Sequence, residues 1–429
     1  MEFSNRDHVA GVSPLYENVC RFLSEHGSVP PADSSDADPE EVYPSISGNS
    51  GVESGLIFLG SGGSASIPQL NHVLAFSDAH HPFYRFARGE AVLPALPVMQ
   101  QQAIEYRQRL KRLQVEAASK QPTALCASSD PAVSGCNGVS TNAATGEHET
   151  PTLNASDLRD LELKAMDARN AACPTCLKAF LYPNNRNGRR NISLLLSVEK
   201  KRLLIDCGKT LRDSVISFCC PFQISSVDAV FLTHDHMDAV GGLDDLRDMQ
   251  PFDRLTLRSL SAGEALGSRD ERAVTRCLRV GLSAGVRTPI FSFPVYHGGS
   301  YVCLGLMSLG AEPFLLLSDV TAVPAVVLQR LLELPRPEVM VVDAIGERPH
   351  AAHFSLQEAL DLGVLLQPRR LLFVGMDCCL EHNLTNRRLQ VWLTQHREMY
   401  RAVNGRESRI QEVRLAHDGL FLAFNTGAA

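Results

Sequence analysis

Two histidines and an aspartate alternate along a short polar stretch, in an arrangement that suits a metal ion. The stretch is Thr233-His234-Asp235-His236-Met237-Asp238, and it directly follows an apolar run. In an extended chain alternate side chains point the same way, so both imidazoles and the Asp238 carboxylate could reach one ion. Imidazole nitrogen and carboxylate oxygen are ordinary zinc ligands. Two histidines alone would be a weak signal, but here a strand, the histidines, the aspartate and the turn Gly241-Gly242 follow in order.

The pair Cys173 and Cys176 is a second candidate metal site, because Cys-x-x-Cys spacing lets one tight turn hold an ion. A redox pair is the alternative, although no thioredoxin-like βαβ pattern surrounds it. Two unrelated thiols are the third interpretation. The chain has 12 cysteines and no secretory signal in its first residues, which favours reduced thiols or metal ligands over disulfides.

The elements that would position these residues alternate between strands and helices, as in a layered α/β domain. Apolar, β-rich runs predict strands over 55–60, 192–198, 202–207, 227–233, 288–295, 301–309, 313–317, 338–342 and 371–374. Amphipathic patterns predict helices over 97–120, 325–334, 355–366 and 386–400. Two of the predicted strands run into acidic residues, Asp319 and Asp343.

Composition bounds the domain organisation and the partners. Residues 28–54 and 122–156 are rich in small and polar residues, so we expect a disordered segment over 1–54 and a folded domain over 55–429. An insertion at about 73–172 would contain the low-complexity stretch 122–156. The net charge of -7 gives no general attraction for nucleic acid. No run approaches the roughly 20 apolar residues that span a bilayer, so we expect a cytoplasmic protein without a membrane partner.

The ordered motifs resemble the metallo-β-lactamase superfamily, and within it the branch of ribonuclease Z and the phosphoribosyl cyclic phosphate phosphodiesterase. The motifs are Leu59-Gly-Ser-Gly-Gly63 with Pro68, Asn191 with Ser193, Asp206-Cys-Gly208, the stretch 233–238, His297, Leu317-Ser-Asp319, His353 and His417-Asp-Gly-Leu420. The resemblance implies a four-layer αββα sandwich, with the metal site at one edge between the two sheets.

The resemblance also implies roles for individual residues. Three histidines and a carboxylate would hold the first metal, and they are His234, His236, His297 and Asp319. Asp238 resembles the aspartate of a second metal site and is a candidate catalytic residue. Asp206 resembles an aspartate that orients a ligand histidine from behind. His353 resembles the histidine near the leaving group, a candidate general acid.

Departures from the family pattern affect the second metal site. The usual motif ends in histidine, but Ala239 stands there, and Cys378 stands where a further histidine is expected. A second metal held by Asp238 and Cys378 would bind weakly. We therefore favour one catalytic ion, zinc or manganese, with hydrolysis retained.

The resembling phosphodiesterase carries a structural zinc held by cysteines and one histidine. On this pattern a structural site would consist of His72, Cys173, Cys176 and His382, and Cys378 or Cys379 could replace one ligand.

The predicted function is hydrolysis of a small phosphodiester, either a cyclic phosphate or a nucleotide-type phosphodiester. The alternative is a catalytically weakened metal-binding protein that holds a nucleotide or RNA without cleaving it. A tRNA 3′-processing endonuclease is less favoured, because the net charge is negative and no glycine- and lysine-rich arm is present.

Overall fold

The structure is a computed structural model that describes residues 54–79, 81–119, 172–182, 185–250, 278–279 and 288–424. The predicted disordered segment, apart from Ser54, and the low-complexity stretch 122–156 lie outside the described residues. The chain divides into two compact units, Met1–Val73 with Thr175–Ala429 and, separately, Leu74–Pro174. The predicted insertion spans about 73–172, and its place within one domain over 55–429 stays a prediction.

The larger unit contains two sheets. Among the described residues the first sheet consists of β1 (Gly55–Gly60), β2 (Ser193–Val198), β3 (Lys201–Ile205), β4 (Ala229–Phe231) and β12 (Phe421–Ala423), in the order β12-β1-β2-β3-β4. The second consists of β5 (Leu278–Arg279), β6 (Ile290–Tyr296), β7 (Val302–Ser308), β8 (Phe314–Leu317), β9 (Val339–Asp343), β10 (Arg370–Val374) and β11 (Glu412–Leu415), in the order β11-β10-β9-β8-β7-β6-β5. Strands β8 to β11 are parallel, whereas β5 to β8 pair antiparallel.

The α-helices of the described residues are α1 (Leu70–Ala75), α2 (Tyr84–Ala87), α3 (Leu96–Ser119), α4 (Pro174–Leu181), α5 (Leu211–Ser214), α6 (Met237–Val240), α7 (Ala325–Glu333), α8 (Leu356–Leu366) and α9 (His382–Asn404). A π-helical segment (Val215–Cys219) and a 3-10 segment (Leu243–Met249) complete them. None of these helices is both long enough and apolar enough to cross a membrane.

Helix α9 begins four residues before the predicted start because Glu381 caps it. The Glu381 carboxylate accepts a hydrogen bond from the backbone N–H of Leu384 at 2.7 Å. The helix ends where Gly405 adopts a left-handed conformation, with φ of 64°. The other predicted helices agree with the observed ones to within about two residues, which is the usual uncertainty of helix ends.

Three apolar clusters show the layering of the larger unit. The central cluster lies between the two sheets and includes Leu194 and Leu306, one from each sheet. A second cluster packs the outer face of the second sheet against α7, α8 and α9. A third packs the outer face of the first sheet against the helical segments around residues 211–249. The order is helix, sheet, sheet, helix, so the four-layer αββα prediction is confirmed.

The smaller unit has its own aromatic cluster. His81 is buried, and its ring centroid lies 5.3 Å from that of Phe76, 5.5 Å from Phe83 and 5.2 Å from Tyr106. Tyr106 lies on α3, and the other rings lie within or between the shorter helical segments before it. These rings stabilise the unit mainly by burying apolar surface.

Candidate metal centre

Two aspartates that follow strands adopt left-handed backbone conformations at the candidate site. Asp206 follows β3 with φ of 57°, and Asp319 lies two residues after β8 with φ of 48°. Aspartate is among the few residues other than glycine that enter this region at modest cost. The left-handed conformation of Asp206 ends β3 two residues before the predicted end. The carboxylates of both aspartates are buried.

The structure brings His234, His236 and His297 together. One ring nitrogen from each lies within 4.8 Å of the others, and the ring centroids are 4.7 to 5.4 Å apart. His234 and His236 follow β4, and His297 directly follows β6. His234 and His297 are buried, whereas His236 is exposed. Three imidazoles at this separation can bind one ion from three sides.

A chain of hydrogen bonds from Asp206 fixes the tautomer of His234. The Asp206 carboxylate accepts bonds from the Thr233 backbone N–H and from its hydroxyl, each at 2.8 Å. The hydroxyl proton is thereby used, so the Thr233 oxygen accepts from Nδ1–H of His234, 2.9 Å away. Nε2 of His234 then carries the free lone pair. Asp206 thus reaches His234 through Thr233, a link that the sequence did not indicate, and the orienting role of Asp206 stays a prediction.

The other buried histidine is held in the same way. Nδ1 of His297 lies 2.7 Å from the backbone oxygen of Ala352 and donates to it, which leaves Nε2 free. Burial, and then the charge of the neighbouring His236, lower the pKa of His234 to about 4. Burial and the nearby His353 also lower the pKa of His297. Both imidazoles are therefore neutral at pH 7, as metal ligation requires.

Carboxylates complete the site. Oxygens of Asp238 and Asp319 lie within 4.8 Å of one another and of a His234 nitrogen. The Asp238 carboxylate accepts a hydrogen bond from the Ser64 hydroxyl at 2.7 Å. Burial raises the pKa of Asp238, but the Ser64 bond and the histidines outweigh it and leave the pKa below its usual value. Burial, and then the charge of Asp343, raise the pKa of Asp319 well above normal.

The candidate acid His353 is paired with Asp343. Its Nδ1 lies 2.7 Å from an Asp343 carboxylate oxygen and 3.9 Å from Asp319, and its ring centroid is 4.8 Å from that of His297. Burial lowers the pKa of His353, but the bond to Asp343 and the charges of Asp343, Asp319 and Asp238 raise it more, to about 9. Asp343 was noted in the sequence only as a strand end. Like Asp319, Asp343 is an acidic residue at the end of a strand, and this position was the feature of the sequence that could have indicated a role at the site.

The donor set suits a divalent cation. The buried Nε2 of His234 has no hydrogen-bond partner among the described residues, although an unsatisfied buried nitrogen is costly. The site also gathers buried carboxylates that raise one another's pKa, and a cation would relieve that repulsion. Imidazoles and carboxylates together are typical ligands of zinc.

The second metal site differs from the prediction at one ligand. Cys378 is not near Asp238 or Asp319: its sulfur lies 3.8 Å from Nδ1 of His72. Ala239, where the family has a histidine, is buried with 3% of its surface exposed. Among the described residues, the one group of possible metal ligands that contains Asp238 consists of Asp238, Asp319 and His234.

A separate cluster of thiols and imidazole lies in the larger unit. The sulfur of Cys176 is 3.1 Å from Nδ1 of His72, and the Cys378 sulfur lies within 4.8 Å of both groups. Cys173 belongs to the other compact unit and lies one residue before α4, so it stays a predicted ligand. Cysteine and histidine side chains in this arrangement are typical of a structural zinc site.

His382 does not join that cluster, contrary to the sequence-based prediction. Its Nε2 lies 3.0 Å from the side-chain nitrogen of Asn386, and its ring centroid is 5.6 Å from that of His417. As the first residue of α9, His382 donates its backbone N–H to Asn187 at 2.7 Å. The helix start thus turns its ring away, and Cys378, named in the sequence analysis as a replacement, occupies that place.

Replacing Cys176 and Cys378 together by alanine should lower bound zinc by about one ion per chain, because two of the ligands are lost. Elemental analysis of the purified variant measures this directly. Cys219→Ala is the matched control, since Cys219 is equally buried but lies in an apolar cluster. Unchanged zinc in the double variant would show that the thiols bind no metal.

The absence of a side chain at Gly375 leaves room for the Asp343 carboxylate. The φ of Gly375 is 75°, and a Cβ there would overlap an Asp343 carboxylate oxygen. Gly375→Ala should therefore lower the free energy of unfolding by more than the roughly 1–3 kcal/mol of a left-handed backbone alone. Gly405→Ala is the control, because φ is 64° and nothing lies within 4 Å of the added atom. Urea unfolding of both variants makes the comparison, and equal losses would contradict the prediction.

Comparison with known proteins gives several similarities to solved structures. A diphosphatase of the PhnP family is 19% identical, with a TM-score of 0.44, and the match covers 59% of this chain and 90% of that one. Zinc-bound PqqB from Methylobacterium extorquens is 15% identical, with a TM-score of 0.41 and coverage of 59% and 93%. The short form of human tRNase Z is 15% identical, with a TM-score of 0.38 and coverage of 55% and 92%.

Two further matches come from sequence. A stretch of 60 residues is 48% identical to an octanoyltransferase of Porphyromonas gingivalis, and it spans 14% of this chain and 11% of that protein. Residues 201–376 match the family model described as a beta-lactamase superfamily domain. That range contains Asp206, His297 and His353 together with the histidine stretch 233–238. The stretch 201–376 is therefore similar to a beta-lactamase superfamily domain.

Proposed function

We propose that this protein is a metal-dependent hydrolase that cleaves a small phosphodiester, either a cyclic phosphate or a nucleotide-type phosphodiester. The observation that carries the proposal is the position of His353, which Asp343 holds beside the ligand group of His297 and Asp319. A site that only stores or binds a metal needs no proton donor among its ligands. A hydrolase does, because the leaving oxygen must be protonated.

The metal would be held by three histidines and a carboxylate, and these are His234, His236, His297 and Asp319. A zinc or manganese ion supplies Lewis acidity, which polarises the phosphoryl oxygen and lowers the pKa of water. The tautomers of His234 and His297 are fixed by Thr233 and Ala352, so the Nε2 atom of each would be free to bind the ion without a change of tautomer.

His353 acts as the general acid. Its Nδ1 is engaged by Asp343, so Nε2 is the atom that gives a proton to the leaving oxygen. Asp343 keeps the ring oriented and stabilises its protonated form. Asp238, held by the Ser64 hydroxyl, faces the same group of ligands, and we assign it to accepting a hydrogen bond from the attacking water.

We propose one catalytic ion. A second ion would have Asp238 and Asp319, with no imidazole of its own, since Ala239 and the displaced Cys378 remove both expected ligands. A site with one ion lacks the two-metal clamp on the attacking and leaving oxygens. The loss of both expected ligands is therefore the observation in favour of the alternative, a metal-binding protein that holds a nucleotide or RNA without cutting it. The pairing of His353 with Asp343 favours the hydrolase.

The choice of a phosphodiester is supported by the sequence motifs, from Leu59-Gly-Ser-Gly-Gly63 to Asp206-Cys-Gly208 and Leu317-Ser-Asp319, which resemble the phosphodiesterase branch. The net charge of -7 favours a small substrate over a long nucleic acid.

The test is an assay of the purified protein on bis(p-nitrophenyl) phosphate and on a ribose cyclic phosphate, with zinc or manganese added. We expect turnover that a chelator abolishes and that added metal restores. Metal-loaded protein without turnover on either substrate would favour the non-catalytic alternative.

A further inference from the structure

Tyr301 lies directly opposite His297 in the hairpin between β6 and β7. The backbone N–H of His297 donates to the Tyr301 oxygen at 2.8 Å, and the Tyr301 N–H donates to Gly298 at 3.1 Å. Gly298 and Gly299 close the turn with φ of 69° and 53°, in the left-handed region that suits glycine. A short, closed hairpin therefore fixes the backbone of Tyr301 relative to one metal ligand.

The Tyr301 side chain reaches the segment that carries the other two histidines. Its ring stacks on that of His236, with the centroids 4.8 Å apart and the planes 9° from parallel. Its hydroxyl donates a hydrogen bond to the Asp235 carboxylate. The backbone N–H of Asp235 points back to the same hydroxyl at 3.4 Å. Tyr301 thus connects the His297 hairpin with the chain between His234 and His236.

His236 needs such support more than the other ligands do. Nδ1 of His234 is held by Thr233, and Nδ1 of His297 is held by Ala352. No hydrogen bond to the His236 ring is found within the described part of the chain, and His236 is the exposed member of the three. An exposed, unanchored imidazole samples several rotamers, and each of them must be given up when a metal binds.

We propose that Tyr301 is a positioning residue of the metal site, which holds the His236 ring in its ligating orientation. Stacking restricts the ring plane, and the bond to Asp235 fixes the backbone on which His236 is carried. Tyr301 takes the place of the outer hydrogen bond that the other two histidines have. The inference rests on the metal site of the proposed function but does not depend on the reaction.

The test measures metal affinity without substrate. Co²⁺ or Zn²⁺ is titrated against a competing chelator into the wild type, Tyr301→Leu, Tyr301→Phe and Tyr400→Phe. Tyr400 lies on α9 away from the site and serves as the matched control. The Co²⁺ spectrum identifies the histidine site, because that site lacks the thiolate bands that the cysteine cluster would give. We expect Tyr301→Leu to weaken binding about 10- to 100-fold. Tyr301→Phe, which keeps the stacking, should weaken it less.

A double-mutant cycle with His236→Ala separates positioning from a general loss of structure. If Tyr301 acts through His236, Tyr301→Leu has little further effect once His236 is gone. Equal weakening in both backgrounds, or wild-type affinity in Tyr301→Leu, would overturn the proposal. Should Tyr301→Leu fail to fold, the milder Tyr301→Phe decides by the same cycle. A protein that binds metal but shows no turnover would sink the proposed function and leave this inference standing.

Discussion

His234→Ala should abolish turnover and empty the histidine site of metal. His234 belongs both to the three-histidine group and to the group with Asp238 and Asp319, so its loss damages each. Loss of an outer partner typically costs about 10- to 100-fold in metal affinity, and loss of the ligand itself should cost more. Metal content and kcat/KM, measured on the purified variant, give the two results together.

Two variants sharpen that experiment. Thr233→Val keeps the ligand but breaks the link to Asp206, so it should weaken metal binding by only about 10- to 100-fold. His396→Ala removes a buried histidine that stacks on Trp392 at 4.9 Å, and it should leave metal content unchanged. Full turnover in His234→Ala would rule out a reaction at this site.

Asp343→Asn should lower kcat by about 100- to 10,000-fold while the metal stays bound. The asparagine keeps the shape of Asp343 but not its charge, so it neither orients nor stabilises protonated His353. In the metal-free protein the pKa of His353, followed by NMR, should fall from about 9, because the raising effects of the bond and the charge are lost. His353 would then lose its proton at lower pH than in the wild type.

Asp361→Asn is the control for Asp343→Asn. Asp361 lies on α8, burial raises its pKa to about 6, and its partner is Gln357 at 2.9 Å. That variant should change stability without changing kcat. Wild-type turnover in Asp343→Asn, with metal bound, would show that the reaction does not need the pairing of His353 with Asp343.

Much of the fold follows from the sequence because the sheets are built from apolar runs. Buried strands such as β2 and β9 are apolar throughout or nearly so, and their ends lie close to the predicted ends. The amphipathic pattern predicts helix α8 to within one residue at both ends, and in the structure Ser355 and Glu358 form a capping box at its start. The strands predicted over 202–207 and 227–233 were too long, because β3 ends at Ile205 and β4 spans only Ala229–Phe231. At β3 the cause is the left-handed conformation of Asp206, which depends on contacts that a local pattern does not contain.

The site was less predictable than the fold. The histidine stretch 233–238 predicts a metal site directly from the sequence, since this spacing of histidines and aspartate has few other uses. The pairing of His353 with Asp343 could not be predicted in this way, because it depends on how the loop after β9 returns to the end of that strand. The place of Cys378 is set by the turn before α9, which brings its sulfur to 3.8 Å from Nδ1 of His72.

The positions of the ligands have a mechanical consequence. His234 and His236 follow a strand of the first sheet, whereas His297 and Asp319 follow strands of the second. An ion bound to all four would be a cross-link between the two halves of the sandwich. The free energy of metal binding would therefore oppose separation of the two sheets. We expect the metal-free protein to unfold first at this edge. The same ion would then stabilise the fold as well as take part in the reaction.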